Sequence, residues 1–195
     1  MKGLEKLADD FFEEAEIKFE CIEGTRYIYV SSFDSKTGSV KAFLDVKNDS
    51  EIIRIVAIHD QKIPEDFRDE VARFFIKVNY NIIIGSLQID LSDGEVRYVN
   101  TIDTEDIEYT VPALKRAYFL PLIMLGRYMP AVMRIVYANF TADQALEFVN
   151  AEIQASQAPE EPEEEHFDTG SGYVDPDTDD EGRFDVNDEN DPGNF

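Results

Sequence analysis

Hydrophobic positions along the chain change their spacing several times, and each change predicts a new element. Apolar residues between Leu4 and Phe12 recur at helical spacing, which predicts an amphipathic helix over about residues 2–14. The next runs are rich in β-branched and aromatic residues, and such runs are typical of β-strands. They predict three strands, at 26–30, 40–46 and 51–58.

A second helix is predicted between Pro64 and Asn79, where apolar residues again recur every three or four positions. Two further strands follow, at 82–91 and 95–99, with the pair Asp93-Gly94 between them. An Asp-Gly pair between strands indicates a tight hairpin in which both central residues take positive φ. The sequence therefore predicts a helix followed by a β-hairpin.

The chain is predicted to be helical again from Thr110 onward. Pro121 and Pro130 lie within this helical region, and a proline inside a helix is expected to kink or restart it. Thr141 and Gln144 have the spacing of a capping box, which predicts the start of a final helix. The order of elements is helix, three strands, helix, two strands and helices. This order predicts an α+β fold in which an antiparallel sheet packs against helices.

Composition divides the chain into two regions. Residues 1–150 hold most of the aromatic residues and are predicted to form one α+β domain, which is long enough to bury a core. Residues 151–195 hold sixteen acidic residues, one basic residue (Arg183) and few apolar groups. Such a segment cannot offset the entropy lost on ordering, so it is predicted to be a disordered acidic tail.

Charge and cysteine content restrict the partners and the compartment. The formal net charge is -24 at pH 7 and the chain has no cluster of Lys and Arg, so nucleic acid and anionic membranes are not expected as partners. The single cysteine, Cys21, allows no intrachain disulfide, and the first residues lack the apolar core of a signal peptide. The apolar stretch 117–136 is interrupted by charges and prolines, as in a protein core. We therefore expect a cytoplasmic protein.

Three segments resemble the YbjN family of bacterial proteins. They are the run from Phe67 to Asn79, the hairpin LQIDLSDGEVRY at 87–98 and the run RYMPAVMRIV at 127–136. The resemblance spans about residues 15–150. It implies a fold similar to that of type III secretion chaperones and a role of the kind often assigned to the family, in bacterial sensory-transduction regulation. The family has no established catalytic residues, so the resemblance implies none here.

Few residues could carry out chemistry. Cys21 and His59 are the one nucleophile and base that could act together in residues 1–150, and we interpret them as a buried structural thiol and a surface histidine. Asp90, Asp93 and Glu95 flank the predicted hairpin, where acidic residues serve backbone geometry. No catalytic residue, cofactor or metal site is therefore predicted, and we expect that the protein is not an enzyme.

Partner-binding residues are predicted first in the late helical region. Between Leu114 and Tyr137 this region holds more apolar residues than one buried stripe requires, and such a surplus can mark an interface. Leu122, Met129 and Met133 are predicted to contact a protein partner or a second copy of the chain, giving a homodimer. Two alternatives stay open: the helix is a central core helix, or the sheet face holds the partner.

The tail offers a second set of predicted contacts. Phe184 and Phe195 are aromatic residues within an acidic segment, which is a plausible ligand for a basic pocket of a partner protein. Residues 177–188 have part of the spacing of an EF-hand loop but lack its final Glu and its flanking helices. The leading hypothesis is a non-enzymatic, chaperone-like or regulatory protein-binding module. The alternatives are an acidic mimic of nucleic acid, a tail-mediated adaptor, and a tail that only improves solubility.

Overall fold

A six-stranded antiparallel sheet and four helices form the part of the chain that the structure describes. This computed structural model describes residues 3–22, 28–47 and 50–157. The elements are α1 (Leu4–Glu14), β1 (Glu20–Cys21), β2 (Ile28–Ser35), β3 (Gly38–Lys47), β4 (Ile52–His59), α2 (Glu65–Asn79), β5 (Ser86–Ile89), β6 (Val96–Asp103), α3 (Val111–Ala138) and α4 (Ala142–Gln157). The strands lie in the order β1-β2-β3-β4-β6-β5, and each neighbouring pair is antiparallel. The predicted α+β class is confirmed.

Helices pack on one face of the sheet and form two core clusters with it. The first cluster joins α1 and the start of α3 to β2, β3 and β4, and includes Phe11, Phe12 and Tyr118. The second joins α2, α4 and the rest of α3 to the other end of the sheet, and includes Phe74 and Met129. Alternate positions of each strand enter these clusters because successive side chains of a strand point to opposite faces.

The long helix α3 continues through both of its prolines. It extends from Val111 to Ala138 with Pro121 and Pro130 inside it, so of the two predicted effects the restart is wrong and the kink stays a prediction. A proline inside a helix costs about 3 kcal/mol. Burial on both sides of Pro121 offsets this cost, because Tyr118 and Leu125 are completely buried and belong to the two core clusters. Tertiary packing therefore outweighs the local preference.

The predicted hairpin is present, but its turn differs from the prediction. β5 begins at Ser86 rather than at residue 82 and pairs with β6. Of the pair Asp93-Gly94, only Gly94 takes positive φ, at 80°. A Cβ atom on Gly94 would lie 2.1 Å from the carbonyl oxygen of Ile63. The backbone N–H of Ile63 in turn donates a hydrogen bond to the Gly94 carbonyl. The glycine is needed for this close approach, and the loop is longer than a two-residue turn.

The outer edge of β5 is closed by a side chain of α2. The Asn79 amide nitrogen donates to the Leu87 carbonyl at 2.8 Å, and the Leu87 N–H donates to the Asn79 amide oxygen at 2.9 Å. Asn79 was predicted as the end of the second helix, and α2 does end there. Because an open strand edge invites pairing with another chain, this amide blocks β5 as a docking edge at Leu87.

The final helix begins at the predicted capping box and continues past the predicted domain boundary. The Thr141 N–H donates to the Gln144 side chain, and the Gln144 N–H donates to Thr141 Oγ1. α4 continues beyond residue 150 to Gln157, because Ile153 still packs against the second cluster. Residues 158–195 lie outside the described residues. The predicted disorder of the tail, its EF-hand-like spacing and its contacts through Phe184 and Phe195 therefore stay predictions.

Candidate protein-binding surface

The sheet face that points away from the helices carries a row of apolar side chains. In the register of the sheet, Val30 pairs with Phe43, Phe43 with Val56, and Val56 with Val99. Residues paired in this way project from the same face of a sheet. None of the four side chains belongs to either core cluster formed by the described residues. We call this row, from β2 across β3 and β4 to β6, the apolar row.

A shallow groove of about 220 Å³ lies beside the apolar row. Its lining adds three isoleucines, two arginines and one aspartate to the row: Ile22, Ile28, Ile58, Arg54, Arg97 and Asp45. We call the apolar row and these lining residues the open face. Val56 and Val99, at the centre and at the β6 end of the row, are only 8% and 9% exposed. Val30 and Phe43 are half-buried, and Ile22 is 40% exposed at the sheet edge.

The two arginines of the open face differ in their partners. The Arg97 Nε–H donates to the Gln88 side-chain oxygen at 3.0 Å, and Arg97 Nη1 lies 3.8 Å from a Glu95 carboxylate oxygen. Arg54 is half-buried, and no carboxylate of the described residues lies within 4.0 Å of its guanidinium. Asp45 is opposite Arg54 in the register, but its carboxylate lies 3.7 Å from Lys47 Nζ. The open face thus combines apolar surface with guanidinium groups.

The predicted contact residues of the late helix lie in or against the core. Met129 is completely buried in the second cluster, and Met133 is half-buried against it. Leu122 is half-buried and packs against both clusters. Within the described ranges α3 is the one helix long and apolar enough to cross a membrane, a test that a core helix also passes. The packing of α3 matches the core-helix alternative, and contact of Met129 with a partner would require it to leave the core.

Cys21 and His59 have the opposite burial from the one predicted. Cys21 is exposed on the edge strand β1, whereas His59 is only 2% exposed at the end of β4. β2 and β3 lie between these strands, so the two residues are separated by about 14 Å or more. They cannot act as a nucleophile and base pair. The alternation of β4 could have located His59, because it has the same parity as buried Ile55 and Ala57.

His59 is held by polar neighbours inside the sheet–helix interface. Its Nδ1 accepts the Gln61 N–H at 3.1 Å, so the proton of the neutral ring lies on Nε2, which is 3.1 Å from Thr37 Oγ1. Burial lowers the pKa of His59, and the neighbouring Asp60 carboxylate partly opposes this shift. The arrangement is that of a neutral structural histidine.

The acidic residues of the hairpin serve its backbone, as predicted. Asp90 Oδ1 accepts the Ser92 N–H at 2.8 Å and the Ser92 hydroxyl at 2.6 Å. Asp93 Oδ1 accepts the Glu95 N–H at 3.0 Å, and its other oxygen pairs with Lys62. These hydrogen bonds lower the pKa of both carboxyls. Across the described ranges, no group of three or more His, Cys, Asp or Glu residues is placed to hold a metal ion.

Sequence reasoning left two features of the surface unlocated. It kept the sheet face as one possible partner surface but identified none of the residues of the open face, although β4 is apolar at nearly every position, a pattern typical of a strand with two apolar faces. The second is a group of exposed residues at the end of α2 and in the loop after it, comprising Ile76, Tyr80, Ile83 and Ile84, which are 57–96% exposed. Ile76 lies outside the predicted apolar stripe of α2, and this was the available signal.

Comparison with known proteins gives similarity at the level of the fold. No family model matches the chain, and no curated protein matches it. A chain of the HopA1–SchA chaperone–effector complex is 19% identical, with 64% of this chain and 90% of that chain covered and a TM-score of 0.43. YbjN, a proposed transcription regulator from E. coli, is 9% identical, with 78% and 92% covered and a TM-score of 0.43. YbjN is also the family that the sequence segments resemble.

Proposed function

We propose that the chain is a non-enzymatic protein-binding module that holds an apolar segment of a partner protein on its open face. One observation carries the proposal: the apolar row points away from both core clusters. Apolar side chains gathered on a surface away from the core and rimmed by polar groups are characteristic of interaction sites, and Val30 and Phe43 are the partly exposed members of this row. Either a chaperone-like or a regulatory role would use such a surface in the same way.

Catalysis has no part in this proposal. Cys21 and His59 lie on different strands, and the acidic residues of the hairpin are engaged by backbone N–H groups and by Lys62. The proposal also places the chain in the cytoplasm, where an exposed single cysteine such as Cys21 stays reduced.

The experiment compares partner capture by full-length variants that differ in one surface each. Phe43→Ser removes the aromatic side chain of the apolar row, and Ile76→Ser is the matched control because it removes an exposed apolar side chain from α2. Proteins crosslinked to each tagged chain in cell lysate are identified and quantified by mass spectrometry. We expect Phe43→Ser to reduce the captured partner at least about tenfold, since central aromatic contacts often contribute 2 kcal/mol or more.

Circular dichroism establishes that each variant is folded. Unchanged capture by folded Phe43→Ser would contradict the proposal. Capture that is lost in Phe184→Ser but kept in Phe43→Ser would instead support the alternative in which the acidic tail docks on the partner.

A further inference from the structure

The groups that flank the apolar row indicate what kind of segment binds there. Resting on the proposed function, we propose that the open face takes an amphipathic helix of a partner protein whose apolar stripe is bordered by acidic residues, with Arg54 and Arg97 binding its carboxylates. Three observations carry this inference: the position of the arginines relative to the row, the lack of a carboxylate of the described residues within 4.0 Å of the Arg54 guanidinium, and the width of the row.

The arginines lie on opposite sides of the apolar row. Arg54 precedes Val56 by two positions on β4, whereas Arg97 pairs with Ile58, two positions after Val56. Both therefore project from the same face as Val56. Four residues of strand separate the two rims, which is about 13 Å. An α-helix with its side chains is about 10–12 Å across, so a helix lying along the row would reach both rims.

The length of the row also fits a short helix. It crosses β2, β3, β4 and β6, and the spacing between neighbouring strands is about 4.8 Å. The row therefore extends about 14 Å, which corresponds to about ten residues of helix at 1.5 Å per residue. Residues spaced three and four apart along such a helix would contact the row, and the residues that border this stripe would face the arginines.

Arg54 favours an acidic border over a neutral one. Its guanidinium is half-buried beside Val56 and has no carboxylate of the described chain within 4.0 Å. Asp45, the nearest acid in the register, lies by Lys47 instead. A partly desolvated guanidinium gains most from a carboxylate that accepts two of its N–H groups. On the other rim, Arg97 donates to the neutral Gln88 side chain and lies 3.8 Å from the Glu95 carboxylate, a distance at which a carboxylate of a partner can compete.

Charge also argues against a second copy of the chain as the occupant. Two open faces packed against each other would bring Arg54 and Arg97 of both copies together in an apolar interface. Like charges that lose solvent on contact are strongly unfavourable. Lys41 adds to this repulsion, because it pairs with Ile58 on the same face. An acidic helix from another protein would instead bring carboxylates to these three cations, with Asp45 as the opposing acid of the open face.

The test uses two labelled helical peptides of about fourteen residues. Both carry the same leucine stripe; one has glutamates along its borders and the other has glutamines. Fluorescence anisotropy measures their binding to the full-length protein. We expect the glutamate peptide to bind at least about tenfold more tightly, which corresponds to about 1.4 kcal/mol, because its carboxylates form charge-assisted hydrogen bonds with the arginines.

Variants separate this inference from the proposed function. Arg54→Gln and Arg97→Gln should each bring the affinity of the glutamate peptide toward that of the glutamine peptide. Arg73→Gln, which changes an exposed arginine of α2, is the matched control and should leave the preference intact. Phe43→Ser should weaken both peptides.

Equal binding of the two peptides, with both weakened by Phe43→Ser, would overturn the acidic preference and leave the proposed function standing. A glutamate preference that survives in both arginine variants would also overturn it. If neither peptide binds the wild-type protein, the inference and the proposed function both fail.

Discussion

At the scale of single residues, His59 shows how the core accommodates a titratable group. Its ring lies at the end of β4 against Gly38, where a Cβ atom would be 2.9 Å from His59 Cε1. Gly38 has φ of 145°, which residues with a side chain rarely adopt. Glycine therefore permits both this backbone conformation and the close contact with the His59 ring. Protonation of Nδ1 would remove the acceptor for the Gln61 N–H inside a buried site. The folded protein therefore favours the neutral ring.

We expect His59 to make the protein less stable in mild acid. Because burial lowers the pKa of His59 below the ordinary value of 6.5, the unfolded chain binds more protons than the folded one once the pH falls below about that value. The stability that the neutral His59 ring contributes is fully present above about pH 6.5. It is lost as the pH falls toward the pKa of His59 in the folded protein. Urea denaturation between about pH 7.5 and 5.5 should show this loss.

His59→Gln should remove that part of the pH dependence. His166→Gln removes the only other histidine of the chain and should leave the loss in place. An identical pH dependence in His59→Gln and the wild-type protein would show that other groups cause the acid effect.

At the scale of elements, the capping box at the start of α4 is determined by local sequence. Thr141 and Gln144 exchange backbone-to-side-chain hydrogen bonds of 2.9 Å and 3.3 Å, and the spacing alone predicted them. We expect Thr141→Ala to lower the free energy of unfolding by about 1 kcal/mol, because the Gln144 N–H loses its acceptor at the helix end. Thr141→Ser keeps a hydroxyl and should recover most of the loss in urea denaturation. Equal destabilisation by Ser and Ala would contradict a capping role.

Other elements depended on contacts that a local pattern does not contain. The order of the predicted strands and helices followed from hydrophobic spacing and is correct apart from the two-residue β1, whereas the bounds of β2, β5 and β6 differ from the prediction by up to five residues. The turn at Gly94 was predicted as a two-residue turn, which is wrong because its geometry depends on contact with Ile63, thirty-one positions earlier in the chain. The continuity of α3 through Pro121 likewise depends on burial against the sheet and α1 rather than on helix propensity.

At the scale of the whole molecule, the candidate site could be predicted from the sequence less well than the strands and helices could. Val30, Phe43, Val56 and Val99 come from four strands, and only the register of the sheet brings them into one row. A shift of one residue in any strand would send its side chain to the helices instead. The apolar composition of α3 predicted a partner-binding surface there, but its surplus apolar side chains pack into the two core clusters.

The two core clusters should unfold together. They share the continuous sheet of β3 and β4, and α3 contributes to both, with Leu122 in contact with each cluster. Phe11 belongs to one cluster and Phe74 to the other, and both are completely buried. We expect Phe11→Ala and Phe74→Ala each to lower the free energy of unfolding by about 3–5 kcal/mol, because each leaves a cavity in a close-packed core.

Each substitution should shift one common transition, followed in urea by far-ultraviolet circular dichroism and by tyrosine fluorescence. Ile76→Ala, which truncates a side chain on α2 that is 71% exposed, should change the stability by no more than about 0.5 kcal/mol. Coincident transitions in both probes would mean that the two clusters unfold in one cooperative step. The contacts through α3 and the shared strands would then be strong enough that neither cluster stays folded without the other. Two separated transitions, with Phe11→Ala moving only one of them, would mean that the clusters fold as independent units on a common sheet. The open face would then depend on both units, because the apolar row extends from β2 in one cluster to β6 in the other.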